Sequence, residues 1–275
     1  MERAVMAGAK AMEDIVETGA AVKSKRKADN SLVMNLDIAS QSAILSTLGN
    51  NLPVVSEEAP ESHKLIHSGT TFLLVDPLDG TSTCRRCLEN HGKFVTGNVG
   101  FGPLVGAVKD GVLVAATFLN LPDQLLYTAE RGKGAYFRKR GELASAKQRL
   151  SVAADVSLRE SAILFYSGKK GEMPLATYLR TQDIVDSVYR FGGFASDCTR
   201  LARGYEQGEI QFSLRPWDLS AALIAEEAGL SVVMDPLGTQ TKLKDWRLRD
   251  TNPALLIAPG LEKELLKACE SYKRQ

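Results

Sequence analysis

The first fifty residues place apolar side chains at helical spacing in two segments. The first segment predicts an amphipathic helix over residues 3–22. The second predicts a helix from Asp37 to Leu48, with Gly49 as its C-terminal cap. The basic stretch between them, residues 23–27, is interpreted as a solvated loop; the alternative is a mobile basic loop beside an anionic ligand.

Short apolar runs bounded by turn residues predict strands in the next hundred residues. Residues 52–55 form one such run, and residues 71–75 form a second. Residues 94–137 are rich in strand patterns, with Lys109-Asp110-Gly111 as a hairpin turn. The glycine-rich residues 131–136 are not followed by a helical pattern, so we interpret them as a turn at a strand edge and not as a phosphate-binding loop.

Strand and helix patterns alternate from about residue 151 onward. Strands are predicted at residues 161–166 and 231–234, and helices at residues 197–203, 217–228 and 261–271. No internal repeat or low-complexity linker interrupts the chain. We therefore expect an α/β (α+β) protein with two packed lobes, formed by residues 1–150 and residues 151–275.

Composition narrows the class of protein. The 275 residues carry a formal net charge of +1, which gives no electrostatic support for nucleic acid or an anionic membrane as the main partner. The chain begins without the pattern of a signal peptide and contains no stretch of 18 apolar residues. Its four cysteines do not resemble a secreted disulfide framework. We therefore expect a cytoplasmic enzyme.

The sequence DPLDGT, residues 76–81, follows directly after the apolar strand of residues 71–75. The carboxylates of Asp76 and Asp79, with the carbonyl of Leu78 between them, offer the oxygen ligands that magnesium prefers. A helix that begins at Gly80 would add free amide groups and a positive dipole end for a phosphate. A plain turn is the alternative for this segment viewed alone.

Two further acidic segments strengthen the metal-site interpretation. Glu57-Glu58 also follows an apolar strand, and Asp218 lies in Arg215-Pro216-Trp217-Asp218 at the start of a predicted helix. Taken singly, the glutamates are compatible with a solvated loop and Asp218 with a helix cap. Taken together, the three segments supply enough carboxylates for two or three magnesium ions, an arrangement suited to phosphate ester hydrolysis.

These three segments, in this order and spacing, resemble the signatures of the inositol monophosphatase superfamily, which includes fructose-1,6-bisphosphatases and 3'(2'),5'-bisphosphate nucleotidases. Residues 125–136 and 201–204 are similar to further parts of the family pattern. The resemblance implies an αβαβα layered sandwich and a homodimer. It also implies dependence on Mg²⁺, for which Mn²⁺ can substitute, and inhibition by Li⁺.

The resemblance also implies roles for individual residues. Glu58, Asp76 and the Leu78 carbonyl would hold a first metal, and Asp76, Asp79 and Asp218 a second. A third ion would bind Glu57 or Glu58. Thr81, supported by Asp37, would activate the attacking water, although Asp37 is also compatible with a simple helix cap. The implied phosphate and substrate contacts are Asp79, Gly80, Thr81, Ser82, Gly192, Gly193, Gln211 and Arg215.

The substrate is expected to be a small phosphorylated metabolite. Residues 27–31, 54–58 and 90–94 are most similar to bisphosphate nucleotidases, which convert 3'-phosphoadenosine 5'-phosphate to AMP. Gln211 replaces the glutamate with which many inositol monophosphatases bind a substrate hydroxyl. Inositol 1-phosphate, fructose 1,6-bisphosphate and histidinol phosphate remain alternatives, as does a non-catalytic sensor of a metal and a phosphorylated ligand.

One departure from the family pattern follows the DPLDGT segment. Cys84-Arg85-Arg86-Cys87 stands where the family has an aromatic residue. The two arginines are interpreted as helix surface residues, with binding of a second substrate phosphate as the alternative. The cysteine pair could be redox-active or bind a metal, but no second pair at zinc-site spacing lies nearby, so we favour neither role.

Overall fold

The computed structural model describes residues 1–27, 31–97, 100–152, 156–166 and 173–273. Within them, two mixed β-sheets and seven α-helices form the framework. The helices are α1 (Glu2–Glu17), α2 (Asn35–Leu48), α3 (Thr81–His91), α4 (Met173–Thr181), α5 (Phe194–Ala202), α6 (Ala222–Glu227) and α7 (Glu262–Lys273).

A short hairpin and a seven-stranded sheet make up the first half of the chain. The hairpin pairs β1 (Ser24–Arg26) with β2 (Leu32–Met34). The sheet contains, in spatial order, β3 (Val54–Ser56), β4 (Phe72–Asp79), β5 (Gly102–Lys109), β6 (Val112–Asn120), β7 (Leu125–Glu130), β8 (Gly134–Lys139) and β9 (Gln148–Arg149). Only β3 and β4 pair in parallel, so both strands deliver their carboxyl ends to the same edge of the sheet.

A six-stranded sheet makes up the second half. Its strands are β10 (Ala162–Tyr166), β11 (Ser187–Tyr189), β12 (Gly208–Leu214), β13 (Ser231–Met234), β14 (Thr241–Lys242) and β15 (Asn252–Ile257). They are ordered β11-β10-β12-β15-β13-β14. The first sheet ends at Arg149 and the second begins at Ala162, so we retain a two-lobe division near residue 150 as a proposal.

Five layers follow from the faces that each element buries. Alternate residues of β4 point to opposite sides: Val75 packs in the cluster with α1 and α2, whereas Leu74 packs in the cluster with α5 and α6. The central cluster also takes in Val232 and Leu256 of the second sheet. The other face of that sheet packs on α4 and α7. The expected αβαβα sandwich is confirmed.

Several element boundaries differ from the sequence prediction. Helix α1 ends at Glu17 instead of residue 22, because residues 20–22 are exposed and no packed face extends the helix. The sequence predicts a loop over residues 23–27, but residues 24–26 form a strand of the hairpin. Strand β4 continues past Pro77 to Asp79, with a register shift between Asp76 and Asp79 that accommodates the missing proline N–H.

The carboxy-terminal half also contains boundary differences. The helix predicted over residues 217–228 is divided into a 3-10 turn, Asp218–Ala221, and helix α6. The helix predicted at residues 197–203 is α5 and begins earlier, at Phe194. Across the described ranges, no helix has the length and apolar character needed to cross a membrane.

Candidate metal centre and active site

Three carboxylates from distant parts of the chain meet at the edge of the first sheet. Asp76 and Asp79 lie at the end of β4, and Asp218 begins the 3-10 turn that precedes α6. One oxygen from each of the three lies within 4.8 Å of the others. Asp76 and Asp79 are buried, and Asp218 is partly exposed. This convergence was predicted from their sequence contexts.

Backbone hydrogen bonds fix two of these carboxylates. Asp76 Oδ1 accepts a hydrogen bond of 2.9 Å from the Leu78 N–H, which closes a tight turn around Pro77. Asp79 Oδ2 accepts a hydrogen bond of 3.0 Å from the Ala195 N–H at the start of α5. The amides of the flanking residues Phe194 and Ser196 also bond to Asp79. The positive end of α5 therefore holds Asp79 in place.

The electrostatics of the cluster favour a bound cation. Burial, followed by repulsion from Glu57 and the neighbouring aspartates, raises the pKa of Asp76 well above its usual range. Burial and Asp79 do the same to the pKa of Asp218, which shares a side-chain hydrogen bond with Asp76. Burial and Asp197 raise the pKa of Asp79 to about 7. Such crowded carboxylates need a proton or a cation, and an all-oxygen donor set fits a hard divalent ion.

Glu57 and Glu58 lie beside this cluster. The Glu57 N–H donates to Val75 O at 3.1 Å, which continues the parallel pairing of β3 with β4 and places Glu57 near Asp76. Lys27 Nζ donates to Glu57 Oε1 at 2.7 Å and to Glu58 Oε1 at 2.6 Å. Of the amino-terminal segment 27–31 that resembles nucleotidases, Ala28, Asp29 and Asn30 lie outside the described residues.

Aromatic packing connects Asp218 to the glutamate segment. The Trp217 ring lies against the His63 ring, with centroids 4.7 Å apart, and His63 Nε2 contacts Ser56 O at 2.9 Å. Because Ser56 immediately precedes the glutamates, this contact brings the carboxy-terminal ligand turn to the end of β3.

Asp37 and Thr81 form the pair predicted to act on water. Asp37 Oδ2 accepts a 2.8 Å hydrogen bond from the Met34 N–H at the start of α2, so Asp37 does cap this helix, as the alternative interpretation expects. Its other oxygen, Oδ1, accepts from Thr81 Oγ1 at 3.1 Å. Burial is the main cause that raises the pKa of Asp37 to about 7, with a further contribution from Glu57 and Glu58. Thr81 Oγ1 also lies 3.0 Å from Leu78 O.

Helix α3 begins immediately behind Asp79, as predicted, with Gly80 as its N-cap. Gly193 packs against this turn: a Cβ there would lie 3.1 Å from Asp79 Oδ2 and 3.3 Å from the Gly80 Cα. Its φ of +108° is also unfavourable for other residues. The predicted phosphate contacts Gly80, Thr81, Ser82 and Gly193 therefore lie together.

Two of the predicted substrate contacts, Gln211 and Gly192, belong to the carboxy-terminal half of the chain. Gln211, buried on β12, donates from Nε2 to Glu209 Oε1 at 2.6 Å. Gly192 O accepts from Thr83 Oγ1 at 3.0 Å, and Arg86 donates to the same threonine at 3.2 Å. The structure thus places Arg86, on α3, beside the glycine loop.

Arg215 is exposed at the edge of the metal centre. Its N–H donates to Asp218 Oδ2 at 3.3 Å, which orients this carboxylate at the beginning of its turn.

The cysteine pair lies on α3. Cys84 is buried, and Cys87 is half-buried and donates from its thiol to Lys93 O at 3.5 Å.

Sequence reasoning missed several residues at or behind the site. The contact of Lys27 with both glutamates depends on the β1–β2 hairpin, which has too few residues to give a clear strand pattern. Buried Asp197 and Glu209 were not singled out, because an acid within a short helix or strand ordinarily faces solvent. Asp197 raises the pKa of Asp79, and Glu209 contacts Gln211. The backbone amide of Ala195 gives no side-chain signal.

A family model for the inositol monophosphatase family matches residues 1–273. The chain belongs to this family. Members of the inositol monophosphatase family are metal-dependent phosphoric monoester hydrolases, and the protein is an enzyme of that class.

Individual relatives are consistent with this membership. The Nus factor SuhB of Salmonella typhimurium is 28% identical over 256 residues, covering 88% of this chain and 86% of that protein. A fructose-1,6-bisphosphatase/inositol-1-monophosphatase of Aquifex aeolicus is 28% identical over 226 residues, covering 78% of this chain and 77% of that protein.

Solved structures share the fold. The inositol monophosphatase of Thermotoga maritima superposes with a TM-score of 0.74 at 18% identity, covering 99% of this chain and 96% of that one. SuhB from Bartonella henselae superposes with a TM-score of 0.73 at 24% identity, covering 96% and 95%. These likenesses establish the same layered fold.

Proposed function

We propose that the protein is a magnesium-dependent phosphatase that hydrolyses a small phosphorylated metabolite by direct attack of water. The observation that carries this proposal is the meeting of Asp76, Asp79 and Asp218 within 4.8 Å, beside the N-terminus of α3. When bound, magnesium ions polarise the phosphoryl group and lower the pKa of water. We assign Glu57, Asp76, the Leu78 carbonyl, Asp79 and Asp218 as the principal ligands, because Glu57 is the glutamate that interacts with Asp76 and Asp218. Glu58 is assigned as a further ligand.

Thr81 and Asp37 are proposed to orient and deprotonate the attacking water. Since the Thr81 hydroxyl has one proton to share between Asp37 Oδ1 and Leu78 O, its lone pairs remain available to accept a hydrogen bond from water. Asp37, whose pKa is raised to about 7, is suited to receive a proton near neutral pH. The second oxygen of Asp37 stays fixed by the Met34 N–H, which keeps the pair aligned.

The phosphoryl group of the substrate is proposed to lie against the amides of Gly80, Thr81 and Ser82. These amides lie at the positive end of α3, which favours an anion. Gly193 supports this position because any side chain there would displace Asp79 or Gly80. A phosphate held here would lie next to Asp79 and to the Thr81–Asp37 pair.

Two features favour a substrate with a second anionic group. Arg86 lies beside Gly192 at the rim of the site, and its guanidinium can bind a second phosphate. Gln211, neutral and bonded to Glu209, replaces the acidic side chain that many inositol monophosphatases use. A bisphosphate such as 3'-phosphoadenosine 5'-phosphate or fructose 1,6-bisphosphate fits this arrangement; inositol 1-phosphate is the alternative. The relatives described above do not include a bisphosphate nucleotidase by name.

A phosphate-release panel with purified protein tests this proposal. The substrates are 3'-phosphoadenosine 5'-phosphate, fructose 1,6-bisphosphate, inositol 1-phosphate, histidinol phosphate and NADP, each with Mg²⁺, with Mn²⁺ and with added Li⁺. We expect magnesium-stimulated release that lithium inhibits, with a bisphosphate preferred and the preference reduced in Arg86→Ala. Absence of stimulated release from every substrate would favour a non-catalytic sensor.

We further propose that the protein is a cytoplasmic homodimer. Light scattering after gel filtration tests the oligomeric state.

The name of the Salmonella relative favours a second candidate function, as a Nus factor in a transcription complex. The near-zero net charge gives no support for direct RNA binding, so a protein contact is the expected mode. Co-purification of RNA polymerase with both the wild type and an Asp79→Asn variant would support this role independently of catalysis. Failure of both proteins to retain the polymerase would remove it.

A further inference from the structure

Glu209 and Gln211 project from the same face of β12. Ile210, which separates them, packs in the cluster with α4 and α7, so the two flanking side chains lie on the opposite face of the strand. On that face Glu209 interacts electrostatically with Asp197 of α5 and with Asp79 of the metal centre. Gln211 is two residues nearer the carboxyl end of β12, the end from which the chain continues to the metal centre. The strand therefore presents Gln211 on the face that is directed to the proposed active site.

The contact with Glu209 fixes the orientation of the Gln211 amide. Gln211 Nε2 donates to Glu209 Oε1 at 2.6 Å, and the two residues are 4% and 0% exposed. The other amide atom, Oε1, has no donor among the described residues, yet it is not one of the buried polar atoms there that lack a partner. It is therefore accessible. With its donor end occupied by Glu209, Gln211 offers a ligand only a hydrogen-bond acceptor.

This orientation does not depend on the charge of Glu209. Burial, followed by repulsion from Asp197, raises the pKa of Glu209 well above its usual range. Its second oxygen, Oε2, is buried and has no hydrogen-bond partner within the part of the chain that the structure describes. A proton carried on Oε2 leaves Oε1 as an acceptor, so the Gln211 Nε2 contact is compatible with both forms of the carboxyl group.

We propose that Glu209 is a positioning residue for substrate specificity: it holds the Gln211 amide so that Oε1 accepts a hydrogen bond from a substrate hydroxyl next to the scissile phosphate ester. The inference rests on the proposed function, in which Gln211 contacts the substrate. Its consequence is selection of a substrate that has a donor at this position over one that has only an acceptor. A freed amide could rotate and present Nε2 instead, which would remove this selection.

Fluorine in place of the hydroxyl tests the orientation, because it keeps an electronegative atom and removes the donor. Phosphate release with Mg²⁺ is measured for 3'-phosphoadenosine 5'-phosphate and its 2'-deoxy-2'-fluoro analogue, and for inositol 1-phosphate and its analogues fluorinated at either carbon beside the ester. The measured quantity is the ratio of kcat/KM between each substrate and its fluoro analogue. Intrinsic reactivity cancels when this ratio is compared between enzyme variants. We expect the ratio to fall at least about tenfold in Glu209→Leu, mainly through KM of the hydroxyl substrate.

A double variant and a remote glutamate distinguish positioning from a structural role. Gln211→Glu introduces a side chain that only accepts when ionised, so Glu209→Leu/Gln211→Glu should recover the ratio that Glu209→Leu loses. Glu264→Leu, an exposed substitution on α7, should keep the wild-type ratio. Leucine replaces a buried carboxyl group with an apolar side chain of similar size, which proteins often tolerate, and circular dichroism checks that each variant is folded.

The outcomes separate this inference from the proposed function. Magnesium-stimulated release with the same ratio in the wild type and in Glu209→Leu, for every substrate pair hydrolysed, overturns the role of Glu209 and leaves the phosphatase function in place. A ratio that falls in Glu209→Leu but does not recover in the double variant also overturns it. Absence of release from all of these substrates overturns the proposed function, and the inference with it.

Discussion

Substitution of Lys27 by methionine should strengthen the binding of divalent cations. The Lys27 ammonium lies 2.7 Å from Glu57 and 2.6 Å from Glu58, two of the proposed metal ligands. These carboxylates raise the pKa of Lys27, so the side chain stays charged throughout the working pH range. A metal ion that needs the same oxygens must displace this ammonium or share them with it. Lys27→Met removes the competitor and keeps the length of the side chain.

The magnitude follows from the two contacts. A hydrogen bond between charged groups contributes about 1.5–3 kcal/mol, and we take the lower end for the pair because Lys27 and Glu57 remain 22% and 17% exposed. Removal of a competing interaction of about 1.5 kcal/mol tightens magnesium binding about tenfold. The same substitution leaves two adjacent carboxylates without their cation, so the chelated variant should also unfold more easily, by about 1–3 kcal/mol.

Calorimetric titration of chelator-treated protein with Mg²⁺ measures this change directly. Lys25→Met is the matched control, because Lys25 lies on the same hairpin and is exposed. The expected result is tighter binding in Lys27→Met alone. Equal affinities in the two variants, or weaker binding in Lys27→Met, would show that the lysine does not compete for the metal ligands.

Three further predictions concern the same site. In chelated protein, the free energy of unfolding should fall as the pH rises from about 4 to about 7, because folded Asp37 has a pKa of about 7 against an ordinary 3.8 and the native state therefore binds the additional proton. The full effect is about 4 kcal/mol. Urea titrations of the wild type should show a steeper decline with pH than those of Asp37→Asn. Gly193→Ala should reduce both metal affinity and turnover, since its Cβ would lie 3.1 Å from Asp79 Oδ2. The control Gly204→Ala, at a residue with φ of +77° and no atom within 4 Å of the added Cβ, should lower stability only. Equal kinetics in the two variants would contradict this prediction. Asp218→Asn should lower kcat/KM more than about 100-fold while circular dichroism stays unchanged, and an active variant would exclude this residue as a ligand.

Periodicity in the sequence is sufficient to predict the elements that have a strong apolar face. Helix α1 is predicted from its spacing because it buries such a face, and strand β13 has the predicted bounds because its apolar run is buried. Strand β11 is only three residues long and was not predicted, since so short a segment carries no measurable period. The end of α1 was placed too late because apolar residues beyond Glu17 continue the pattern without a surface to pack against.

The ligands of the metal centre could be predicted from the sequence more completely than the residues that contact those ligands. Asp76 and Asp79 are recognisable because a proline and a glycine fix the turn that follows an apolar strand. Lys27, by contrast, approaches its carboxylate partners from 30 residues away in sequence, and the Ala195 amide from 116 residues away from Asp79. Such contacts depend on the packing of segments that are distant in the chain, which single-sequence patterns do not specify.

The central claim, that the three aspartates bind divalent cations, is tested most directly by diffraction from crystals grown with Mn²⁺, with an anomalous difference map calculated from data near the manganese edge. We expect at least one strong peak coordinated by oxygens of Asp76, Asp79 and Asp218, at metal–oxygen distances of about 2.0–2.3 Å. Manganese peaks found only elsewhere on the protein, with none among these three carboxylates, would contradict the proposed metal centre.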